Sequence, residues 1–521
     1  MSMYSEMITA ALCGIQGELI KVETDLLPGL PGLTLVGLPD QSVKESRERV
    51  KSAMLNSGYG FPGKKIVVNL SPADRKKDGS HFDLPVAVGI LCACGRLDQH
   101  VAGSYGMIGE LSLNGQIRGI NGALPLVLAL RNRGIKKVII PAENRSEVEL
   151  IRDIEIYEAF HLNDVVHHLQ GLGRLEKIDL GEQLCSAVEE VKFKTEDDFD
   201  QVVGQEAAKR CIVLACGGMH GLLMCGSPGV GKTMLASRIP TVLPQLTYSE
   251  MLEVTQIYSA SGMMHQRGED LHRPPFRAPH YESSVAAMIG GGTDPKPGEV
   301  SLAHNGVLFL DEVPLFKANV LESLRTPMED GVIRVARRGG KYDFPCRFML
   351  VAAANPCRCG YYGDPYRQCT CTTTQLEQYR QKMSGPFLDR MDLQIHLSAP
   401  PVNSRWDQIT GNVAAGLSSA QMRSQIEEIR KRQEFRYREE TISYNSQLTP
   451  GLIEKFCILS GDARQFFGQY IQKFMISIRA QHRIMKTART IADGEGSEVI
   501  QWEHMAEALQ YRSGWKQEAT V

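Results

Sequence analysis

The sequence predicts an α/β protein: a central parallel sheet, a mixed α+β region before it, and a helical region after it. Three observations carry this expectation. A glycine-rich turn, GSPGVGKT, sits between a strand-like and a helix-like run. Two further apolar runs, GVLFLDE and RFMLVAAANP, have the length and bounded ends of buried strands. Beyond residue 404 the pattern becomes helical, in SQIEEIRKRQEF, YIQKFMISIRAQHRIMKTARTIA and WEHMAEALQYR.

In chain order, residues 1–168 mix strand-like runs (LTLVGLP, KIVVNLSP, KKVIIPAE) with helical stretches such as SVKESRERVKSAMLNSG, as an α+β domain does. Residues 169–195 end in the charged run EEVKFKT, lack steady periodicity, and read as a linker. Residues 196–400 alternate strands and helices around the phosphate-binding signals, and 404–513 form the helical region. A length of 521 residues suits two to four domains.

With 43% hydrophobic and 23% charged residues the composition is that of a globular protein, and the net charge of -2 excludes a global basic field. Any contact with nucleic acid must then be local. The N-terminal segment lacks a basic leader, and no uncharged apolar run approaches the roughly 20 residues of a membrane span. Thirteen cysteines, several within apolar runs (Cys211, Cys216, Cys225), fit reduced thiols in a cytoplasmic protein better than a disulfide framework.

The nucleotide signal is GLLMCGSPGVGKT. Gly226, Ser227, Pro228, Gly229, Val230, Gly231, Lys232, Thr233 and Met234 form the turn and the helix start, where backbone N–H groups and the helix dipole face a phosphate. Lys232 is placed to reach the β and γ phosphates of ATP, and Thr233 to hold Mg²⁺. Asp311 and Glu312 end the next buried strand: Asp311 binds Mg²⁺, through water or directly, and Glu312 acts as general base on the attacking water. Asn355 ends a third strand and orients that water. Arg390 follows a Gly-Pro break, where it either serves a phosphate across a subunit boundary or pairs with Asp389 or Asp392. Arg479 either senses nucleotide from the helical region or lies on a solvated helix face.

Cys357, Cys359, Cys369 and Cys371 place four thiols within fifteen residues. A structural Zn–S₄ site, an iron–sulfur site and free thiols all stay open on spacing alone. MEDGVIRVARRGGKYDFPCRFML reads as a hairpin with Arg337, Arg338 and Lys341 at its tip, suited to sequence-blind phosphate contacts. Arg479, Arg483, Lys486 and Arg489 recur at helical spacing and read as a solvated or intersubunit face.

The order of these parts resembles an AAA+ ATPase of the magnesium-chelatase-like branch, and within it the ComM/YifB family. The matching blocks include GLPDQSVKESRERVKSAMLNSG, FDQVVGQEAAKR, PPFRAPHYESS, GEVSLAHNGVLFLDE, NPCRCGYYGDPYRQCTC and SGPFLDRMDL. The resemblance implies a ring, taken as a hexamer, in which Arg390 completes a neighbour's ATP site. It implies a C-terminal helical lid carrying Arg479, and a hairpin projecting into the channel. It implies work on DNA single strands or branched junctions, as a helicase or branch-migration motor in recombination or natural transformation. A protein-remodelling motor like that of magnesium chelatase is the rival, against which the front domain and the cysteines speak. The 79 residues from Lys232 to Asp311 suit this branch's extra helical insertion.

Residues 1–168 are similar to the Lon-type proteolytic domain, which uses a Ser-Lys dyad. Here Leu124 stands where the lysine belongs, no lysine lies between Leu111 and Arg133, and His81 falls at the serine position with Ser80 one residue early. The front domain therefore reads as a Lon/S5-like fold without the chemistry. Ser80 is expected to cap the helix FDLPVAVGILCAC, with Asp83 completing a capping box.

Overall fold

A computed structural model describes residues 3–73, 77–178, 198–202, 204–267, 270–292, 295–337, 340–383, 385–398 and 416–512. The expected linker falls mostly on 179–197, outside the described residues.

The front domain is an eight-stranded mixed sheet. Its centre is the antiparallel hairpin Tyr4–Cys13 and Gln16–Leu27. Lys65–Ser71 continues one flank and buries alternate residues Ile66, Val68 and Leu70, the period-two signature of a half-covered strand. Tyr105–Met107, Lys137–Pro141 and Glu155–Ala159 extend the other flank in parallel. Glu176–Lys177 adds an antiparallel edge, so the sheet takes in residues of the expected linker. All eleven residues of helix Asp83–Ala93 are buried against this sheet. That accounts for its unbroken apolar run, since a helix apolar on all sides needs cover on all sides.

The second domain is built on a five-stranded, all-parallel sheet in the spatial order Phe276–Arg277, Val307–Leu310, Met349–Ala354, Leu222–Gly226, Leu393–Leu397. The three longest of these strands are buried or nearly so along their whole length, as a sheet covered on both faces requires. Between the Lys232 helix and Val307–Leu310 come helices Tyr248–Ser261, Met264–Arg267, Val285–Ile289 and Glu299–Leu302, which form the expected helical insertion. Among the described residues no helix is long and apolar enough to cross a membrane.

The last domain is helical: Ser419–Tyr437, Pro450–Phe456, Gly461–Phe474, Ile478–Gly494 and Trp502–Gln510. The run YIQKFMISIRAQHRIMKTARTIA, helical in pattern, is divided between two helices that part at Met475. That residue adopts a left-handed φ of 47°, and Ser477 then caps the next helix by accepting from the Ala480 N–H.

The front domain is seated on the helical insertion of the second domain. The Ile15 carbonyl accepts from Gln256 Nε2 at 2.8 Å, and the Leu150 carbonyl from the Tyr248 hydroxyl at 2.8 Å. Ser259 donates to the buried Glu147 carboxylate, whose protonated form burial favours. Gly14, at the tip of the central hairpin, lies so close that a Cβ there would stand 3.1 Å from Tyr342 and 3.5 Å from Phe344.

Candidate active site

Strand Leu222–Gly226 ends in the loop Ser227–Gly231, and helix Lys232–Val242 begins at once. Gly229 and Gly231 take φ values of +81° and +93°, a left-handed region costly for other residues. Gly229 is exposed and a Cβ there would meet nothing within 4 Å, so the loop is a cradle open to solvent on that side. The Lys232 ammonium spans the cradle, donating to the Gly226 carbonyl at 2.6 Å, the Ser227 carbonyl at 3.0 Å and Asn355 Oδ1 at 2.9 Å. Burial pulls its pKa below the ordinary lysine value, against the nearby acids.

Asp311 and Glu312 follow strand Val307–Leu310. The Thr233 hydroxyl donates to Asp311 Oδ2 at 2.7 Å, which places a hydroxyl and a carboxylate side by side, a donor pair that fits Mg²⁺. Asp311 Oδ1 accepts the Glu312 N–H at 2.9 Å. Glu312 holds a left-handed φ of 51° and an exposed side chain, a strained conformation of the kind found at functional turns. Asn355 follows strand Met349–Ala354, next to the phosphate-loop strand, which explains how residues 123 positions apart meet at Lys232. An anionic phosphate chain and Mg²⁺ fit this donor set and the open cradle.

Tyr379, on helix Thr373–Lys382, completes the wall. Its hydroxyl takes the Asn355 N–H, and burial, followed by the Cys225, Cys357 and Glu312 charges, raises its pKa. No motif in QLEQYRQK marks this residue, so sequence reasoning missed it.

Arg390 and Arg479 lie elsewhere. Strand Leu393–Leu397 runs parallel to Leu222–Gly226 with Leu393 opposite Leu222, and Arg390 precedes it. Arg390 therefore sits at the amino edge of the sheet and Lys232 at the carboxyl edge, roughly 15 Å apart along a five-residue strand. The Arg390 side chain is only 7% exposed and pairs with Glu329. Arg479 is exposed and shares a pocket with Arg390, Asp389, His482 and Lys486, so the helical domain places it away from this chain's own phosphate loop.

The rest of the basic helical series is not a solvated face. Arg483 pairs with Asp392 at 2.5 Å, Lys486 donates to the Ser446 carbonyl at 2.8 Å, and Arg489 is fully buried on Asp493 and the Ser497 and Glu498 carbonyls. Burial opposes charge on Asp392, but Arg483 and His220 prevail and hold its pKa below the usual carboxylate range.

The basic hairpin is Val332–Arg337 paired with Gly340–Pro345, with Arg337 opposite Gly340. Its turn is therefore two residues, shorter than RRGGK suggested. Lys341 is exposed; Arg338 and the Arg337 side chain lie outside the described residues.

The four cysteines come together, with all four sulfurs within 4.8 Å of one another and no disulfide among them.

In the front domain the protease-like positions are spent on structure. Ser80 donates to Glu110 and does not cap the helix, whose first residue follows Phe82 with no side-chain cap. His81 is buried, with Nε2 2.9 Å from the Ala10 carbonyl, and burial lowers its pKa to about 4. Asp83 accepts from Ser46, from Arg49 at 2.7 Å and from the Leu111 N–H at 3.2 Å. Leu124, where a dyad lysine belongs, is fully buried.

Comparison with known proteins agrees with this layout. Residues 198–404 match the family described as magnesium chelatase, subunit ChlI, and 416–512 its C-terminal part. Residues 22–144 match the family described as subunit ChlI of Mg-chelatase, so the front region does not by itself separate this chain from the chelatase type. The chain is 42% identical to competence protein ComM of Haemophilus influenzae, over 96% of each chain. It is 40% identical to YifB of Escherichia coli, over 97% of this chain and 96% of that one. A Lon protease of Halothermothrix orenii is 28% identical over 167 residues, 30% of this chain and 21% of the protease. Near-full-length likeness of this order, together with the parallel sheet and its phosphate loop, places the chain in the ComM/YifB family of magnesium-chelatase-like AAA+ proteins.

Proposed function

We propose that this chain is a cytoplasmic ATPase that closes into a ring, a hexamer as the resemblance implies, and turns ATP hydrolysis into movement of DNA. The task that fits is helicase or branch-migration work in recombination or natural transformation, in keeping with the competence name of the Haemophilus relative.

One observation carries the reading: the residues read as the two parts of a phosphoryl-transfer site stand at opposite edges of one sheet. Lys232, Thr233, Asp311, Glu312 and Asn355 occupy the carboxyl edge, while Arg390 and Arg479 occupy the amino edge. A single copy cannot bring them together, whereas copies stacked edge to edge complete a site at every junction.

In that site the loop Gly226–Met234 cradles the phosphates and Lys232 binds the β and γ oxygens. Thr233 and Asp311 would hold Mg²⁺, which would neutralise charge on the phosphates. Glu312 takes a proton from the attacking water, Asn355 orients it, and a neighbour's Arg390 offsets the charge of the departing γ-phosphoryl group. Arg479 registers nucleotide across the same boundary. Arg337, Arg338 and Lys341 on the hairpin contact DNA phosphates, and Cys357, Cys359, Cys369 and Cys371 hold a structural Zn²⁺.

The test is migration of a labelled four-way junction together with ATP turnover. Arg337→Ala/Arg338→Ala is expected to keep basal turnover and lose the junction response. Lys232→Ala and Arg390→Ala, each inactive alone, are expected to regain turnover when mixed, because one junction in the mixed ring is intact. Turnover indifferent to DNA but raised by a protein partner would favour the chelatase-type motor. Casein degradation abolished by Ser80→Ala would favour a protease.

A further inference from the structure

The cysteine loop does more than sit near the ATP site: it touches both of its walls. The Cys357 to Cys359 sulfur distance is 3.3 Å, Cys357 to Cys369 is 3.7 Å and Cys359 to Cys369 is 3.5 Å. A tetrahedral Zn–S₄ centre with bonds of about 2.3 Å puts its sulfurs about 3.8 Å apart, whereas a disulfide needs about 2.05 Å. Backbone N–H groups also converge on the sulfurs: Gly360 and Tyr362 on Cys357, Tyr361 and Thr370 on Cys359, and Cys371 on Cys369 at 3.4 Å. Backbone donors arranged around sulfurs are the usual second layer of a metal–sulfur site.

The loop's attachments set its effect. It leaves the sheet at Asn355, two residues before Cys357 and in contact with Lys232. It then folds back over the phosphate loop. Gly360, at a φ of +88°, lies so close that a Cβ would stand 2.6 Å from the Pro228 ring. Ser227 donates its hydroxyl to Asp364. Tyr379, on the helix that follows the loop, receives the Asn355 N–H. The four sulfurs thus close a loop with one end at the water-orienting amide and its middle on the two residues that begin the phosphate cradle.

We infer that Zn²⁺ on Cys357, Cys359, Cys369 and Cys371 is a brace that holds the phosphate loop in its binding shape, so that loss of the metal switches off ATP binding. The inference rests on the nucleotide reading of the Lys232 loop, and its test separates the two. The brace acts through Gly360 on Pro228 and Asp364 on Ser227. Without the metal, fifteen residues of turn-rich chain have no core of their own to hold them on the cradle.

The experiment uses the full chain. Bound zinc is measured with a colorimetric chelator after thiol release, and affinity for a fluorescent ATP analogue is measured before and after metal removal and after zinc is restored. About one zinc per chain is expected. Cys359→Ser/Cys369→Ser is expected to lose it and to weaken nucleotide binding at least tenfold, with circular dichroism and the front-domain melting transition unchanged. Asp364→Asn is expected to keep the zinc and still weaken nucleotide binding several-fold, which a merely structural metal would not predict. Protein without zinc, or zinc removal that leaves nucleotide affinity intact, overturns the inference. Lys232→Ala that keeps its zinc and loses nucleotide supports both readings. Wild-type protein with full zinc and no nucleotide binding overturns the nucleotide reading while leaving the metal site standing.

Discussion

The front domain and the ATPase domain each hold a cluster of the residue types that catalysis uses, yet they treat them in opposite ways. Around Asp83 the partners are fixed: Arg49, Ser46 and the Leu111 N–H fill its lone pairs, and His81 is committed to the Ala10 carbonyl. Around Lys232 the partners are exchangeable: two carbonyls and an amide oxygen, beside an open cradle. The difference teaches that burial of polar groups does not by itself mark a working site. What matters is whether a ligand has room to replace the internal partners.

Four substitutions probe that contrast. The largest effect is expected at Lys232: Lys232→Ala should lower kcat for ATP by at least about 10²-fold while leaving the melting transition in place, as steady-state turnover and calorimetry would show. Asp83→Ala should do the reverse, costing the front domain roughly 3 kcal/mol because it leaves the partly buried Arg49 unpaired, with basal ATP turnover retained. Urea unfolding reads that cost, and an unchanged midpoint would break the comparison.

A pH effect of similar or smaller size should come from His81. Its folded pKa of about 4 lies below the unfolded 6.5, so the buried neutral ring favours folding above pH 6.5. That contribution is lost as pH falls from 6.5 towards 4, by up to about 3 kcal/mol, at about 1.4 kcal/mol per unit. His81→Asn should flatten the pH dependence of front-domain stability over that window. The smallest effect belongs to Ser80→Ala, which removes one bond to Glu110 and should change stability by no more than about 1 kcal/mol, with ATP turnover the same.

Much of this contrast was legible in the sequence, for identifiable reasons. The phosphate loop could be read because its glycines and lysine must occur at fixed spacing within a few residues. The strands ending at Asp311 and Asn355 could be read because a sheet covered on both faces needs continuous apolar runs. The missing dyad was visible as Leu124 in place of an amine. What escaped depends on long-range packing. Tyr379 reaches Asn355 only because the cysteine loop turns the chain back. Arg489 belongs to a buried network with Asp493 that helical spacing cannot tell from a surface stripe. The break at Met475 hid inside a run of good helix formers and was signalled only by Ser477. Ser80 failed as a cap because Glu110, thirty residues on, offers it a carboxylate.

The bare tip at Gly14 has a mechanical corollary. With no side chain to yield, it presses backbone against the rings of Tyr342 and Phe344, on the strand that leads out from the hairpin's turn. A side chain at position 14 has no room there, so Gly14→Leu is expected to part the front domain from that ribbon, which limited proteolysis of the full chain would read as faster cleavage. The Lon-like front domain and the basic hairpin thus meet at one point that only a glycine fits, which fixes their spacing.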